Sequence, residues 1–327
     1  MNDQYFSLFS NCVPILGRNR AIIYDLQFQR YKLIPKLLFH VLLIRGLTVG
    51  EVKKKHENKY DKGIENFFEK LVNEQFGFYM NGSESFPEIK LDWNYPGLIS
   101  NAIIDIDTIV NLDFHKIFRE LQACNCNTVQ LRFNFAPSLT LVYSILELLE
   151  NSKIKGVEIF APFSNEFSFE KIDALTKKNK RVRRILFHDF NSNHEIYNID
   201  DVVINFTTNK INYIKDCGYI SIADFYPNMI FFTEAFKFNT CLNRKVAINC
   251  NGEIMNCPSM NKIYGNIRSC SIERVVKTKE FQSYWSIKKD EIATCNICEF
   301  RYMCSDCRAF TVDKSLYGKP SKCTYTP

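Results

Sequence analysis

The chain of 327 residues lacks a long apolar run. Its longest apolar stretch, residues 33–47, is interrupted by Lys36, His40 and Arg45, whereas a membrane-spanning helix needs about 20 predominantly apolar residues. The start, from Met1 to Tyr5, has neither the basic segment nor the apolar core of a signal peptide. We therefore expect a cytoplasmic protein with no membrane partner.

The glycine-rich patterns that cradle phosphate groups are also missing. The sequence contains no Gly-x-x-x-x-Gly-Lys-Ser/Thr loop and no Gly-x-Gly-x-x-Gly turn, so it gives no case for nucleotide binding. Basic residues are scattered and not interleaved with stacking aromatic residues, so we expect no nucleic-acid partner. With 46% hydrophobic and 24% charged residues, the composition excludes a disordered tail protein and a coiled coil.

Cysteine, in contrast, is abundant and clustered. Nine of the 13 cysteines fall within residues 241–327. In a chain without an export signal, this density favours metal ligands over disulfides. The same region carries 14 Lys+Arg against 8 Asp+Glu, a surplus equal to the net charge of the whole chain, +6. Basic residues would offset the charge of clustered thiolates, although a merely basic surface is the alternative.

Residues 1–80 are predicted to form a small α/β module. Two strands are predicted at residues 20–25 and 29–34, and a returning strand at residues 76–80. Between them lie three predicted helices, at residues 35–45, from residue 48 onward, and at residues 64–72. Thr48-Val-Gly-Glu51 is a capping-box pattern, which marks a helix start. This order is typical of a winged helix, whose exposed strand edge could accept a peptide by strand addition.

Residues 81–96 are predicted to be a linker, and residues 97–238 a βα region. Runs typical of β-strands recur at intervals of 27, 28 and 27 residues, centred on Ile104, Leu131, Ile159 and Leu186. Helical segments alternate with them, which indicates a parallel sheet. Further strand candidates at residues 202–206 and 219–223 make five or six units, a partial barrel. A leucine-rich solenoid is disfavoured because no Leu-x-x-Leu-x-Leu core recurs.

Polar residues near the ends of these strands are weaker site candidates. They are Asp105, Asp107, Arg132, Asn134, Glu158, His188 and Asp189. In barrels, active sites are built at the carboxyl ends of the strands. A pair such as His188 with Asp105 could transfer protons, but such residues are also common in inert sheets.

The C-terminal cysteines have a specific spacing. Cys241 is followed by ten residues, Gly252, four residues and Cys257; then come Cys295-x2-Cys298-x5-Cys304-x2-Cys307 and, after fifteen residues, Cys323. Seven thiolates suit two sites, and thiolates favour iron–sulfur clusters or zinc over hard cations. Zinc is the weaker alternative because no histidine lies in this region. Gly252 fits a tight turn that returns Cys257 to Cys241.

This pattern resembles the SPASM domain of peptide-modifying radical SAM proteins, which has seven cysteines and two auxiliary [4Fe–4S] clusters. Segments such as Asn239–Lys245, Asn256–Met260 and Cys298–Ala309 resemble one branch most, the SPASM-domain peptide maturase of grasp-with-spasm systems. Members of that branch occur beside an ATP-grasp ligase and a short precursor peptide. The resemblance implies a SPASM domain at residues 239–327, after an N-terminal winged-helix-like leader-recognition module and a degenerate radical-SAM-like partial barrel.

Carried over by position, the resemblance implies two ligand sets. One cluster would use Cys295, Cys298, Cys304 and Cys323. The other would use Cys241, Cys257 and Cys307. Many relatives have a fourth ligand at the position that Ala235 occupies in this chain, and Cys250 is a possible additional ligand in its place. The last pair, Cys304 and Cys307, is spaced by two residues where the usual domain has three. We expect Cys270 and Cys217 to be plain buried thiols.

The larger departure from the family lies upstream. A radical SAM enzyme needs Cys-x3-Cys-x2-Cys after the first barrel strand, but residues 107–113 contain no cysteine. The pair Cys124 and Cys126 cannot supply three ligands. No SAM cluster and no reductive SAM cleavage are therefore expected. The resemblance predicts an iron–sulfur maturation factor acting on a precursor peptide with an ATP-grasp ligase; the alternatives are a non-catalytic adaptor or scaffold and a zinc-bound interaction protein.

Overall fold

The computed structural model of the chain describes residues 1–82, 87–108, 112–192, 195–199 and 201–327. Two compact units emerge from the contacts. The first comprises Met1–Trp93, Tyr219–Thr240 and Ile287–Pro327, and the second Asn94–Gly218 and Cys241–Ser286. The cysteine-rich stretch is thus divided between the units. The four-part domain division stays a prediction, and residues 83–86 of its linker lie outside the described residues.

The first unit opens with eight elements. They are β1 (Tyr5–Leu8), β2 (Cys12–Leu16), β3 (Arg20–Asp25), β4 (Arg30–Pro35), α1 (Lys36–Leu42), α2 (Val49–Lys55), α3 (Asp61–Asn73) and β5 (Gly77–Met80). β2, β3 and β4 form an antiparallel sheet, and β1 pairs with β5. The predicted hairpin, three helices and returning strand are confirmed. β1 and β2, which are short and have no sharp alternation, were not predicted.

Local sequence signals explain the helices of this module. Thr48 caps α2 as a complete capping box: its hydroxyl accepts from the Glu51 N–H at 3.3 Å, and Glu51 Oε2 accepts from the Thr48 N–H at 2.8 Å. In α3, the buried residues repeat at helical spacing, Ile64, Phe67, Phe68 and Leu71. This stripe packs into a core with the sheet.

The first unit is completed by segments from later in the chain. α7 (Met229–Lys237) and several short 3-10 turns belong to it. Phe232 from α7 packs edge-on against Tyr24 of β3 and Tyr302, with ring centroids 5.1 and 5.3 Å apart. The Tyr24 hydroxyl donates to the Glu299 carbonyl at 2.6 Å. The N-terminal module and the last segment therefore share one core.

The second unit is built on a large sheet. Its elements are β6 (Asn101–Ile106), α4 (Phe114–Ala123), β7 (Thr128–Phe133), α5 (Leu139–Glu147), β8 (Gly156–Pro162), α6 (Phe169–Lys178), β9 (Val182–His188), β10 (Glu195–Ile199), β11 (Val202–Phe206), β12 (Lys245–Ile248), β13 (Glu253–Met255), β14 (Gly265–Asn266), α8 (Ile272–Val276) and α9 (Lys279–Gln282). The strand order is β10-β11-β9-β8-β7-β6-β12-β13-β14, and the six strands from β11 to β12 are parallel.

The predicted βα region is confirmed as an α/β arrangement whose sheet has open edges. The four predicted strand centres lie in β6 to β9, and residues 202–206 form β11 as expected. The strand predicted at residues 219–223 is wrong: Ile222–Asp224 form a 3-10 turn capped by Ser221. The sixth parallel strand is instead β12. This strand lies in the cysteine-rich stretch and pairs with β6.

Across the described residues, no helix is both long and apolar enough to span a bilayer.

Candidate metal centres

Four of the predicted ligands line one small cavity in the first unit. They are Cys295, Cys298, Cys304 and Cys323. These are the four residues that the resemblance assigned to a single cluster. Three of them are close in sequence, whereas Cys323 comes from the end of the chain.

Short turns position these thiols. A 3-10 turn over Cys295–Ile297 returns the chain so that the Cys298 N–H donates to the Cys295 carbonyl at 3.0 Å. A second turn, Arg301–Met303, leads directly into Cys304. Cys323 is held by an isolated bridge to Ile220. Local turns therefore gather three sulfur atoms, and tertiary pairing adds the fourth.

Aromatic side chains enclose the cavity. Phe225 and Tyr325 line it, and both pack on the buried Phe300, with ring centroids 5.8 and 5.1 Å away. An apolar wall of this kind limits the access of water to a metal cluster and lowers the local dielectric.

A buried ammonium group supplies positive charge beside the thiols. Lys289, which is only 3% exposed, places Nζ 3.9 Å from the Cys295 Sγ and donates to Asp306 Oδ1 at 2.7 Å. Asp306 also accepts from Arg308 Nη2 at 2.7 Å and from Asn239 Nδ2 at 2.5 Å. Two cations against one carboxylate leave a net positive charge, which offsets anionic sulfur.

Without a metal, burial favours the neutral thiols. Burial raises the pKa of Cys298 to about 12 and that of Cys304 to about 11. The pKa of Cys295 is also raised, first by burial, and Lys289 opposes that rise. A metal ion would therefore have to displace protons in order to bind. The donor set, the apolar wall and the fixed positive charge fit an iron–sulfur cluster or zinc.

A second group of thiols lies in the second unit. The hairpin of β12 and β13 turns at Gly252, whose φ of +78° lies in the left-handed region that suits glycine. Its two arms carry Cys241 and Cys257 on their outer ends. Three causes raise the pKa of Cys257. The largest is its hydrogen bond with Cys217, followed by burial and by the charge of the nearby Cys241.

Cys217 is the residue that sequence reasoning missed in this group. Its Sγ lies 2.8 Å from the Ser259 Oγ, and the Ser259 N–H donates to the Cys257 Sγ at 3.5 Å. The same serine therefore contacts both sulfur atoms. Cys217 lies outside the spacing pattern and 40 residues before Cys257, so no sequence signal identified it.

The remaining predicted ligands occupy other positions. Cys307 is buried in the first unit, whereas Cys241 and Cys257 belong to the second; their grouping into one cluster stays a prediction. Burial raises the pKa of Cys250, and the carboxylates of Asp107 and Asp105 add to that rise. Within the described ranges, no three His, Cys, Asp or Glu side chains already have metal-binding geometry.

The polar residues at the strand ends form ion pairs and hydrogen bonds with one another. Arg132 donates to both carboxylate oxygens of the buried Asp105, at 2.6 and 2.9 Å. His188 Nε2 lies 3.0 Å from the Tyr213 hydroxyl. The structure thus gives Asp105 and His188 different partners from the predicted pairing, because the Arg132 guanidinium satisfies the carboxylate. Asn134 and Glu158 contact neighbouring strands, and Asp189 follows β9 with positive φ.

The segment that would carry a SAM-cluster motif follows β6. Residues 107–113 contain no cysteine, and residues 109–111 lie outside the described residues. Cys124 and Cys126 are both buried, and the Cys126 thiol donates to the Thr128 carbonyl at 3.2 Å. Both thiols therefore fit the reading of ordinary loop cysteines.

Comparisons with known proteins find few likenesses. No protein-family model matches the chain, and no curated protein matches it. Among solved structures, two crystal structures of Streptococcus suis SuiB are similar, one of SuiB and one of SuiB bound to S-adenosylmethionine. The identities are 12% and 13% and the TM-scores 0.39 and 0.37; each covers 98% of this chain and 100% of SuiB. TM-scores below 0.5 indicate neither a shared activity nor shared site residues.

We predict that Cys217 contributes to metal binding in the second unit. Cys217→Ser should weaken iron retention against a chelator about tenfold, because a hydroxyl is a far poorer ligand than a thiolate for iron–sulfur clusters. The measurement is iron per chain after anaerobic gel filtration with increasing chelator. Cys270→Ser is the matched control, because the Cys270 thiol donates to the Asn266 carbonyl. Equal iron retention by both variants would reject a role for Cys217.

A second prediction concerns the metal-free chain at alkaline pH. The folded pKa values of Cys298 and Cys304, about 12 and 11, lie above the ordinary value of 9.0. Stability from these groups is therefore complete below pH 9 and is lost as pH rises from 9 towards 11–12, since only the unfolded thiols ionise. Urea unfolding of reduced, chelator-treated protein at several pH values measures it. A Cys298→Ser/Cys304→Ser variant with an unchanged pH slope would contradict the prediction.

Proposed function

We propose that the chain is an iron–sulfur maturation factor for a ribosomally synthesised peptide. In this proposal it acts with an ATP-grasp ligase and does not cleave SAM. The observation that carries the proposal is the cavity that Cys295, Cys298, Cys304 and Cys323 all line, beside the buried ammonium of Lys289. The resemblance to grasp-with-spasm maturases supports the substrate class and the partner.

The proposed site has a clear division of roles. The four thiols would hold one [4Fe–4S] cluster, and Cys241, Cys257 and Cys307 would contribute to a second. Bound clusters supply electron transfer or a rigid scaffold for the peptide. Lys289 stabilises the anionic sulfur atoms, and it stays charged: burial lowers its pKa, but Cys304 and Asp306 raise it above the ordinary value. Phe225 and Tyr325 exclude water from the site.

The N-terminal module would capture the precursor peptide. A cavity of about 470 Å³ in the first unit is lined by β1, by the start of β2 and by residues 42–47. Among the described residues, β1 pairs with β5 in a two-stranded sheet, and on its second edge only Tyr5 is bridged, to Thr48. β2 is a poorer acceptor because Pro14 has no N–H to donate. Strand addition to β1 is therefore the proposed mode.

The metal content tests the proposal directly. Anaerobically purified chain should contain iron and acid-labile sulfide in equal amounts, with broad visible absorption at about 400 nm, since each [4Fe–4S] cluster contains four iron and four sulfide ions. A Cys295→Ser/Cys298→Ser variant should lose about half of the iron, while Cys12→Ser, in the N-terminal core, should lose none. Zinc without sulfide or visible absorption would establish the zinc-bound alternative instead.

Peptide capture is tested at the edge of the cavity. Leu43 is 50% exposed and lines the cavity, whereas Leu33 is 37% exposed and lies outside it. Leu43→Glu should weaken binding of the proposed precursor peptide by about tenfold, because it places a charge against apolar surface. Leu33→Glu should leave the affinity within about twofold. Fluorescence anisotropy with labelled precursor measures both; equal losses, or none, would reject capture at this cavity.

A further inference from the structure

A second concave surface lies in the second unit, at the amino-terminal edge of the parallel sheet. We call it the basic pocket. It is lined by the three loops that enter β7, β8 and β9 and by the preceding chain, through Tyr95, Pro96, Asn125, Cys126, Asn127, Ser152, Lys153, Ile154, Lys155, Lys180, Arg181 and Arg183. Five of these residues are cationic, and none is acidic.

One of the five cations has a structural role. Arg181 is half-buried, and its guanidinium donates to three carbonyls of the loop before β8: Nε to Ile154 at 2.9 Å, and Nη2 to Glu150 at 2.8 Å and Ser152 at 3.2 Å. The loops are also joined by backbone bonds, from the Lys155 N–H to the Asn127 carbonyl at 2.7 Å. These bonds fix the pocket floor before any ligand arrives.

The other cations exceed what the fold requires. Lys153, Lys155 and Arg183 are exposed, and none forms an ion pair with a carboxylate of the residues that the structure describes. The helices α4, α5 and α6 end at this edge, and each carboxyl end carries about half a negative charge, or about 1.5 together. That is about half of the positive charge of Lys153, Lys155 and Arg183 together, and the Arg181 bonds already satisfy part of it. The pocket therefore presents an unbalanced positive field.

The arrangement of the positive charges in the basic pocket determines which class of ligand fits it. Compact phosphate sites use converging N–H groups at a helix N-terminus or a glycine-rich loop, whereas helix C-termini meet here and the lining contains no glycine. The cations lie at two neighbouring strand entries, those of β8 and β9, and neighbouring strands lie about 4.8 Å apart. The positive charge is therefore spread over two strand entries rather than focused on one point. One tyrosine provides no series of stacking platforms for nucleic-acid bases.

We infer that the basic pocket binds an extended, carboxylate-rich peptide segment. Alternate side chains of an extended peptide lie about 7 Å apart on one face, so acidic residues at alternate positions can face the separate cations of Lys153 and Lys155, before β8, and Arg183, in β9. Tyr95, Pro96 and Ile154 supply apolar contacts between the charges. Identifying this segment as part of the precursor rests on the proposed function, but the binding itself does not.

Charge-reversal variants of the full chain test this inference. The probe is a short fluorescein-labelled peptide of alternating glutamate and serine, followed by anisotropy at low salt. Lys153→Glu/Lys155→Glu should weaken binding about tenfold or more, and added salt should weaken binding by the wild type. Lys171→Glu/Lys210→Glu changes the net charge equally at exposed lysines outside the basic pocket, and it should retain affinity within about twofold.

The remaining arms identify the ligand class. A glutamine–serine peptide should not bind, and neither inorganic phosphate nor a thymidine oligonucleotide of equal charge should compete as well as the acidic peptide. Lys153→Gln/Lys155→Gln, a milder change, should give an intermediate loss and guards against misfolding. Equal losses in pocket and control variants, absent binding, or stronger competition by phosphate or oligonucleotide would overturn the inference. None of these outcomes depends on metal content, so failure here leaves the proposed cluster function separately testable.

Discussion

The structure of the C-terminal segment depends on which buried positions can hold a negatively charged sulfur atom. Four thiols around one apolar cavity would repel each other as thiolates, and burial, the largest cause, raises the pKa of Cys298 and of Cys304 and favours their neutral forms. Lys289 changes this balance, because its ammonium lies beside Cys295 and is held by Asp306. Arg308 and Asn239 in turn fix Asp306. Burying this network of charged groups beside the thiol cavity costs free energy, and an anionic group bound in the cavity would offset that cost.

The N-terminal module is integrated with this site within one unit. Tyr24 of β3 donates to the Glu299 carbonyl, and Arg20 donates to Glu299 Oε1 at 2.5 Å. Glu299 follows Cys298 directly, so the module that would receive a peptide contacts the segment that holds the thiols. A shared core of Tyr24, Phe232 and Phe300 makes the contact rigid. The N-terminal module and the cysteine-bearing segment are thereby joined through packed side chains.

The two edges of the parallel sheet have different chemistry. At the carboxyl edge, Asp105 and Arg132 neutralise each other in a buried pair, and Tyr213 lies over the guanidinium at 5.1 Å. At the amino edge, Lys153, Lys155 and Arg183 are exposed and form no ion pair with a carboxylate of the described residues. The buried pair at the carboxyl edge is thus neutral, whereas the amino edge carries exposed positive charge.

The sequence by itself determined the features that arise from short-range periodicity. The capping box at Thr48, the stripe of α3 and the recurrence of β6 to β9 could all be read from it, since each depends on neighbours within one helix or strand. Only the tertiary structure decided which distant groups meet. Cys217 beside Ser259 and Cys257, Lys289 beside Cys295, and β12 beside β6 involve partners that no local pattern specifies. Side-chain pairing across the fold is set by packing, which spacing alone does not encode.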